Sequence, residues 1–105
     1  QSKEEILYWT NHSKQKMRNY RLSESRVRRV MRRPERVEEG IAPETIAAMQ
    51  LSGTKKHPVE IWIMYVLLKK PRKIKIISTW RYPGRTPEGQ RPIIPDDILR
   101  ELDLK

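Results

Sequence analysis

The sequence contains no cysteine, which excludes disulfides, thiolate metal sites and cysteine nucleophiles. It has only two histidines, His12 and His57, so no zinc or other metal site is expected. The four glycines are scattered, and they form no glycine-rich phosphate-binding loop. The longest apolar run, residues 61–68, is too short to cross a bilayer, which takes roughly 20 residues. Without a signal-peptide pattern either, the chain is expected to be cytoplasmic, with no cofactor and no membrane partner.

Acidic residues are scarce relative to basic ones: 13 stand against 23, which gives a net charge of +10. A folded domain this basic attracts polyanions, with nucleic acid ahead of a membrane surface or an acidic protein. Most of the excess lies between positions 14 and 36, where ten basic residues face only two acidic ones. A merely solvated surface is the alternative, but the matching glutamates typical of such surfaces are missing there.

The apolar residues are concentrated in a few segments, as they must be in a chain of which only 36% is hydrophobic. A chain of 105 residues forms one domain with a small core. Its periodic patterns give two helices followed by a run of strands, an order that predicts an α+β fold. We predict two N-terminal helices packed on one face of a twisted, mainly antiparallel sheet of three or four strands.

Two capping signals place the helices. Thr10 is a predicted N-cap for a helix over residues 11–20, and Ser23 begins a second start signal. Apolar residues recur at helical spacing after Ser23, and Pro34 ends this helix because it pushes the preceding residue out of helical geometry. Arginines occupy the other side of the second helix, and their planar guanidinium groups suit phosphate contacts.

The second half of the chain predicts strands and then a tail. Strands are expected at residues 35–41, 45–53, 60–68 and 73–82, with a tight connection at 69–73. Residues 60–68 are apolar on both faces, as in a central strand. Residues 1–82 are predicted to form the domain. Residues 83–105 are predicted to form a Pro/Gly-rich extended arm and a short amphipathic helix, which docks either on this domain or on a partner.

His12 is a candidate for proton chemistry. In the first turn of a helix capped by Thr10, the free N–H groups and the dipole disfavour an imidazolium, so a neutral ring accepts protons near pH 7. A general base for RNA cleavage needs this property, because it removes the proton of a ribose 2′-OH. Lys16, one turn on, would stabilise the negative phosphate. The competing interpretation, an ordinary helix residue making a local hydrogen bond, stays open at this point.

The last strand supplies a cation beside aromatic rings. Arg81 is flanked by Trp80 and Tyr82, whose rings offer surfaces on which bases stack. The sequence therefore predicts a catalytic group of His12, Lys16, Arg81 and Tyr82. The predicted nucleic-acid-binding residues are Trp80 and a set of arginines: Arg18, Arg21, Arg26, Arg28, Arg29, Arg32 and Arg33.

One stretch resembles a known family. Residues 10–23, TNHSKQKMRNYRLS, followed by a Val-containing helix and RPERVEEG, are similar to a widespread family of small uncharacterised bacterial domains. The start of that family reads [ST]-x-H-A-x-x-R-M-x-x-R-G-I-S, and its last strand ends much like ISTWRY at residues 77–82. The family is usually grouped with the barnase–EndoU–colicin–RelE fold, which includes ribonuclease toxins of toxin–antitoxin systems. The resemblance covers roughly residues 8–82.

The resemblance carries over residue by residue. The family histidine falls on His12, the first arginine on Lys16, the second on Tyr20 and the glycine on Arg21. The final basic position falls on Arg81. Lysine keeps the cation without the bidentate fork, whereas tyrosine keeps neither. The resemblance implies a metal-independent endoribonuclease in which His12 is base or acid and the cations at 16 and 81 hold the scissile phosphate.

Three functions follow as expectations. The first is RNA binding, with endoribonuclease activity of the RelE-like toxin type. The second is a non-catalytic RNA- or ribosome-binding module that uses the same surface. The third is an interaction protein whose basic surface or tail helix docks an acidic partner, such as an antitoxin.

Overall fold

The computed structural model describes residues 6–69 and 72–102 of the chain. The predicted α+β class is confirmed, with three helices and a five-stranded mixed sheet. The elements are β1 (Ile6–Trp9), α1 (Asn11–Asn19), α2 (Glu24–Arg32), β2 (Arg36–Glu39), β3 (Ile46–Gly53), β4 (Pro58–Lys69), β5 (Arg72–Pro83) and α3 (Asp96–Glu101). The predicted tight connection between β4 and β5 includes residues 70 and 71, which lie outside the described residues, as do 103–105 of the predicted tail helix.

The sheet has one strand more than the sequence predicts. Its order is β1-β5-β4-β3-β2, with β1 parallel to β5 and every other pair antiparallel. The extra strand is β1, whose four residues are too few to show a clear alternation. Its partners are distant in the sequence, since Trp9 pairs with Ile76. Local pattern therefore could not reveal it.

The predicted helix starts are confirmed. The Thr10 hydroxyl accepts a hydrogen bond from the N–H of Ser13 at 3.1 Å, and the Ser23 hydroxyl accepts one from the N–H of Arg26 at 3.1 Å. These bonds satisfy N–H groups that a helix start leaves without partners. Helix α2 ends at Arg32, two residues before Pro34.

Helices α1 and α2 pack on one face of the sheet. Val27 and Val30 of α2 have no exposed surface and pack on Ile61 and Ile63 of β4. Burying four such side chains contributes roughly 1.5–3 kcal/mol each, before conformational entropy is subtracted. We name this cluster the first core.

The other face has a second core, which the sequence prediction left uncovered. Trp62 and Trp80 are fully buried there and stack with ring centroids 6.3 Å apart. Ile94 and Ile98, from the arm and α3, complete the cluster. The arm is therefore not a free extension: its irregular backbone lies against the sheet, and the tail helix docks on its own domain. Residues on both faces of β4 are buried, which confirms the prediction of a central strand.

A bulge in β5 decides which residues face which core. The register shifts so that Met64 pairs with Ser78 while Tyr65 pairs with Ile76, and Ile77 is left over. The extra residue reverses the alternation. Strict alternation along residues 76–80 would place Trp80 on the same face as Ile76, but Trp80 lies in the second core and Ile76 in the first.

A buried ionic hub fixes the beginning of the arm. The Glu60 side chain, 1% exposed, accepts hydrogen bonds from Arg36, from Trp62 and from both the N–H and the hydroxyl of Thr86. Arg36 also donates to the carbonyls of Thr86 and Pro87. The sequence counted Arg36 with the basic segment that faces a polyanion. The structure corrects this, since its side chain is only 9% exposed.

Candidate nucleic-acid interface

Helices α1 and α3 meet through a polar contact built around Lys16. The Lys16 ammonium lies 2.7 Å from Asp97 Oδ2 and 2.9 Å from Glu101 Oε1, and its side chain is 1% exposed. The Tyr20 hydroxyl donates to Asp97 Oδ1 at 3.1 Å. His12, Lys16 and Tyr20 are spaced by four residues along α1, and the two carboxylates are spaced likewise on α3, so the rows face each other.

His12 has two polar neighbours in this contact. Its Nε2 lies 2.9 Å from the Ser78 hydroxyl, and its Nδ1 lies 3.6 Å from Glu101 Oε1. Burial is the main cause that lowers the pKa of His12; Lys16 lowers it further, and Glu101 offsets only part of this. The ring is therefore neutral near pH 7, as the sequence predicts, but its burial contributes most to this. Its side chain is 16% exposed.

Glu101, His12 and Ser78 contact one another in that order, and they are the residue types of a hydrolytic triad. A substrate has no access to the serine, however. Ser78 has no exposed surface, so no substrate reaches its hydroxyl in this conformation. The separation of 3.6 Å between Glu101 and His12 also exceeds a good hydrogen bond. We therefore assign Ser78 no nucleophilic role; it orients the His12 ring.

Arg81 lies at the opposite end of α1 from His12. Its Nε donates to the Tyr20 carbonyl at 2.7 Å and its guanidinium to the Arg21 carbonyl at 3.1 Å, so it caps the C-terminal end of the helix. His12 lies in the first turn, and the helical rise between residues 12 and 20 separates the two ends by about 12 Å. The structure thus does not bring His12 and Arg81 together on one phosphate.

The two predicted aromatic surfaces also change role. Trp80 is fully buried in the second core, which excludes it from stacking on a base in this conformation. Tyr82 is half-buried and packs against the same core. The sequence alone does not show this placement, because the bulge in β5 turns both side chains to the face that α3 and the arm cover.

The predicted arginines separate into one structural and six exposed residues. Arg26 is half-buried and donates to the Gln50 side chain, whose amide in turn donates to the Arg33 carbonyl at 2.9 Å. Burial, followed by the charges of Arg29 and Arg81, lowers the pKa of Arg26. This corrects the expectation that Arg26 is a free phosphate ligand. The exposed set is Arg18, Arg21, Arg28, Arg29, Arg32 and Arg33.

A groove opens between β1, α1 and the start of α2. Its volume is about 470 Å³, and its lining consists of Trp9, Lys14, Met17, Arg18, Arg21, Leu22, Ser23 and Glu24. Three of these residues are basic and one is acidic. The guanidinium carbon of Arg28 lies 5.8 Å from the centre of the Trp9 ring, which joins the groove to the arginines of α2. We name this groove with its arginine extension the basic groove.

The sequence reading missed Trp9. Its place directly before the Thr10 cap, next to Lys14 and Arg18 spaced by four residues, was the available signal. The ring is only partly buried, so it presents an aromatic surface among cations. That combination suits a nucleobase, because stacking and phosphate contacts then act side by side.

Arg21 has a strained backbone. Its φ is 56°, in the left-handed region that favours glycine. We expect Arg21→Gly to raise the free energy of unfolding by about 1 kcal/mol, since glycine has no Cβ penalty there. Chemical denaturation measures the change. Arg18→Gly is the matched control, because it removes the same charge but lies inside α1, where glycine should destabilise by about 1 kcal/mol. Equal effects of the two variants would contradict the prediction.

Charges in the α1–α3 contact make its stability depend on pH. Burial opposes the charged form of Asp97, but hydrogen bonds from Lys16 and Tyr20 outweigh it and lower the pKa of Asp97. Burial likewise opposes the Lys16 charge, yet its two carboxylate partners raise the pKa of Lys16. Burial and the bond to Asp97 raise the pKa of Tyr20 to about 12. Lys16 and Asp97 are therefore both charged throughout the neutral range, and the Tyr20 hydroxyl keeps the proton that it donates to Asp97.

In acid we expect this network to weaken in two stages. The lowered pKa of His12 makes folding release protons, so stability declines as the pH falls below about 6.5. The lowered pKa of Asp97 adds a contribution that is complete above about pH 4 and is lost below it. Thermal unfolding followed between pH 7 and pH 3 measures both. Asp97→Asn should remove the lower stage, whereas Asn at the exposed Asp96 should not; identical profiles would contradict this account.

Comparison with known proteins adds no identity. No family model, no curated protein and no solved structure matches the chain. The resemblance of residues 8–82 to RelE-like domains therefore stays a prediction. Within residues 6–69 and 72–102, no helix is long and apolar enough to span a membrane, and no three His, Asp or Glu side chains are grouped to hold a metal ion.

Proposed function

We propose that this protein binds RNA through the basic groove. The observation that carries the proposal is a partly exposed Trp9 ring surrounded by exposed cations, with Glu24 as the one acidic residue of the eight that line the groove. Cations neutralise phosphates and release counterions, and the ring stacks on a base. Single-stranded RNA fits best, because its bases are free to leave the stack and reach Trp9.

The exposed arginines of α2 extend the same surface. Arg28 contacts the Trp9 ring, and its ion pair with Glu24 is long at 3.9 Å, so the guanidinium can exchange that partner for a phosphate. Surface ion pairs of this kind contribute roughly 0–1 kcal/mol, which a phosphate contact readily replaces. Arg29 and Arg32 lie further along the helix, and both are exposed.

RNA cleavage by the RelE-like toxin mechanism remains a proposal of its own. The left-handed φ of Arg21, at the position where the family motif has glycine, supports the family grouping. The neutral His12 supports a role as proton acceptor. Lys16 is occupied by α3 and Arg81 by the end of α1, however, so the two cations do not hold a phosphate in this conformation. We therefore propose RNA binding as the activity of the conformation described.

A charge-matched comparison tests the binding proposal. A fluorescent single-stranded RNA of about 12 nucleotides is titrated with the parent, with Lys14→Gln/Arg18→Gln in the groove, and with Lys55→Gln/Lys56→Gln. The second pair is exposed in the β3–β4 turn and removes the same charge. At about 0.1 M salt, losing two phosphate contacts should weaken binding about 25-fold, and the salt slope should fall by about 1.4.

Several outcomes would contradict the proposal. If the two double variants lose the same affinity, binding follows net charge rather than the basic groove. If the parent does not bind RNA but binds an acidic protein through the same arginines, the interaction-protein hypothesis replaces the RNA-binding proposal. A cut RNA with a 2′,3′-cyclic phosphate end, formed in EDTA and lost in His12→Ala, would add cleavage to the function.

A further inference from the structure

We propose that α3 is a lid over a second RNA-contact site, formed by Lys16 and Tyr20 of α1 together with Trp80 of β5. The inference rests on the proposed function, since it assigns the chain a second place to contact RNA. The site lies on the opposite side of α1 from Lys14 and Arg18, because residues two positions apart on a helix point about 200° apart. We call the described structure, with α3 docked, the closed conformation. In it, two carboxylates of α3 bind the Lys16 ammonium, which a phosphate would otherwise contact.

The ligands of Lys16 resemble those of a bound phosphate. Its ammonium meets one carboxylate oxygen at 2.7 Å and a second, from another residue, at 2.9 Å. The Tyr20 hydroxyl donates to the first of these carboxylates, that of Asp97. A phosphate offers the same kind of acceptor oxygens, so a backbone phosphate can satisfy both donors at once. Lys16 therefore pairs with carboxylates of α3 in the closed conformation and with an RNA phosphate when α3 is displaced.

The unpaired indole N–H of Trp80 is a second, independent observation that supports an open conformation. It is the one buried side-chain donor without a hydrogen-bond partner among the described residues. Such an unpaired buried group destabilises the fold, and native structures rarely keep one without a reason. Ile98 of α3 belongs to the cluster that buries the Trp80 ring. Removing α3 uncovers this ring, and its N–H then finds a partner in water or RNA.

The arm supplies a defined pivot for the lid. The Glu60–Arg36 hub holds Thr86, and the N–H of Gly89 donates to Glu38 at 3.0 Å. Gly89 adopts a φ of 79°, and its surroundings are open, so the backbone there can turn. Beyond this point, residues 90–102 are held mainly by buried apolar side chains, by an exposed ion pair from Arg91 to Glu39 and by the carboxylates of α3.

The interactions that hold α3 in place are ones that bound RNA can replace. Ile94 and Ile98 bury their side chains, which keeps α3 docked in the free protein. The ion pairs of Lys16 add little net stability, since Lys16 loses its hydration while Asp97 and Glu101, 35% and 48% exposed, keep theirs in part and are screened by solvent. RNA already bound at the basic groove raises the local concentration of phosphate near α1. It can then take Lys16 from Asp97 and Glu101 and use the Trp80 ring as a stacking surface.

Two charge-matched variants test the lid. Asp97→Asn/Glu101→Gln removes the carboxylates that hold Lys16, and Asp96→Asn/Glu88→Gln removes two exposed carboxylates as the control. With single-stranded RNA at about 0.1 M salt, the lid variant should bind at least about fivefold more tightly than the control, the effect of one added phosphate contact. Adding Lys16→Gln to both variants should abolish this difference.

Hydrogen exchange on the unaltered protein gives a second readout that needs no variant. If α3 opens when RNA binds, the amides of residues 98–102 exchange faster in the presence of saturating RNA than in its absence. A docking helix with a purely structural role would exchange at the same rate or more slowly. Faster exchange supports the lid, and unchanged or slower exchange overturns it even if the lid variant fails to fold.

The outcomes separate the lid from the proposed function. If the parent binds RNA but the lid variant binds no better than its control, the lid is overturned and the basic groove stands. If neither the parent nor any variant binds RNA, both proposals fall. A gain that persists after Lys16→Gln would show that Lys16 is not the contact, and it would overturn the site as described.

Discussion

Replacing Glu60 with alanine should lower the free energy of unfolding by about 3–5 kcal/mol, the cost typical of removing one partner from a buried ion pair. The carboxylate is 1% exposed and accepts four hydrogen bonds. Its loss removes the buried counter-ion of Arg36 and leaves the N–H of Thr86 and the indole N–H of Trp62 without an acceptor. Glu38, 3.0 Å from Arg36, remains as a partial partner. A domain of this size has a total stability of roughly 5–15 kcal/mol, so the variant loses a large part of it.

Urea denaturation measures this loss, with Glu88→Gln as the control that alters an exposed carboxylate in the arm. A mutant cycle with Arg36→Met separates the pair from its surroundings. The double variant should lose less than the two single variants together, since neither charge is then left buried alone. If Glu60→Ala lowers the free energy of unfolding by less than about 1 kcal/mol, the Glu60–Arg36 pair behaves as a solvent-exposed ion pair, which contradicts the described packing.

Replacing Arg28, Arg29 and Arg32 together with glutamine should weaken binding of single-stranded RNA about 100-fold at 0.1 M salt. Each arginine is exposed on α2, and each is expected to neutralise one phosphate. The salt slope should fall by about 2, as three contacts are lost at about 0.7 each. Glutamine is nearly as good a helix former as arginine, so α2 should remain folded.

The matched control for this triple variant lies on the far hairpin. Lys55, Lys56 and Arg85 are exposed near the β3–β4 turn, and three glutamines there remove the same charge. Circular dichroism and the melting temperature verify the folding of both proteins. If the two triple variants lose equal affinity, α2 does not guide RNA, and the proposal would be reduced to a general attraction of a basic protein for polyanions.

Local chemistry explains why the helices and the central strand were predictable. A hydroxyl at Thr10 or Ser23 finds its N–H partner three residues on, and Pro34 acts on its immediate neighbour. The continuous apolar run of β4 needs burial on both faces wherever it lies. The exposed arginines of α2 could also be predicted from the sequence. The apolar residues of a short amphipathic helix face the core, so the remaining positions face solvent.

The candidate site was predictable only in part. The shared side of His12 and Lys16 follows from helical spacing, and the structure places both in one contact. The partner of that contact, α3, lies some 80 residues away in the chain, and no local pattern pairs them. Trp80 was assigned to RNA because it flanks Arg81 in the sequence. A single extra residue in β5 turns its ring into the second core instead, and the sequence alone cannot show that bulge.

The sequence by itself determined the α+β class, the two capped helices, the doubly buried strand and the excess of positive charge on α1 and α2. Each depends on neighbours within a few residues or on composition alone. Only the tertiary structure decided that Arg36 is buried, that Arg81 caps a helix rather than holding a phosphate, and that α3 covers Lys16. Those outcomes depend on contacts between distant segments, and the same residue is a surface cation or a buried partner according to which segment reaches it.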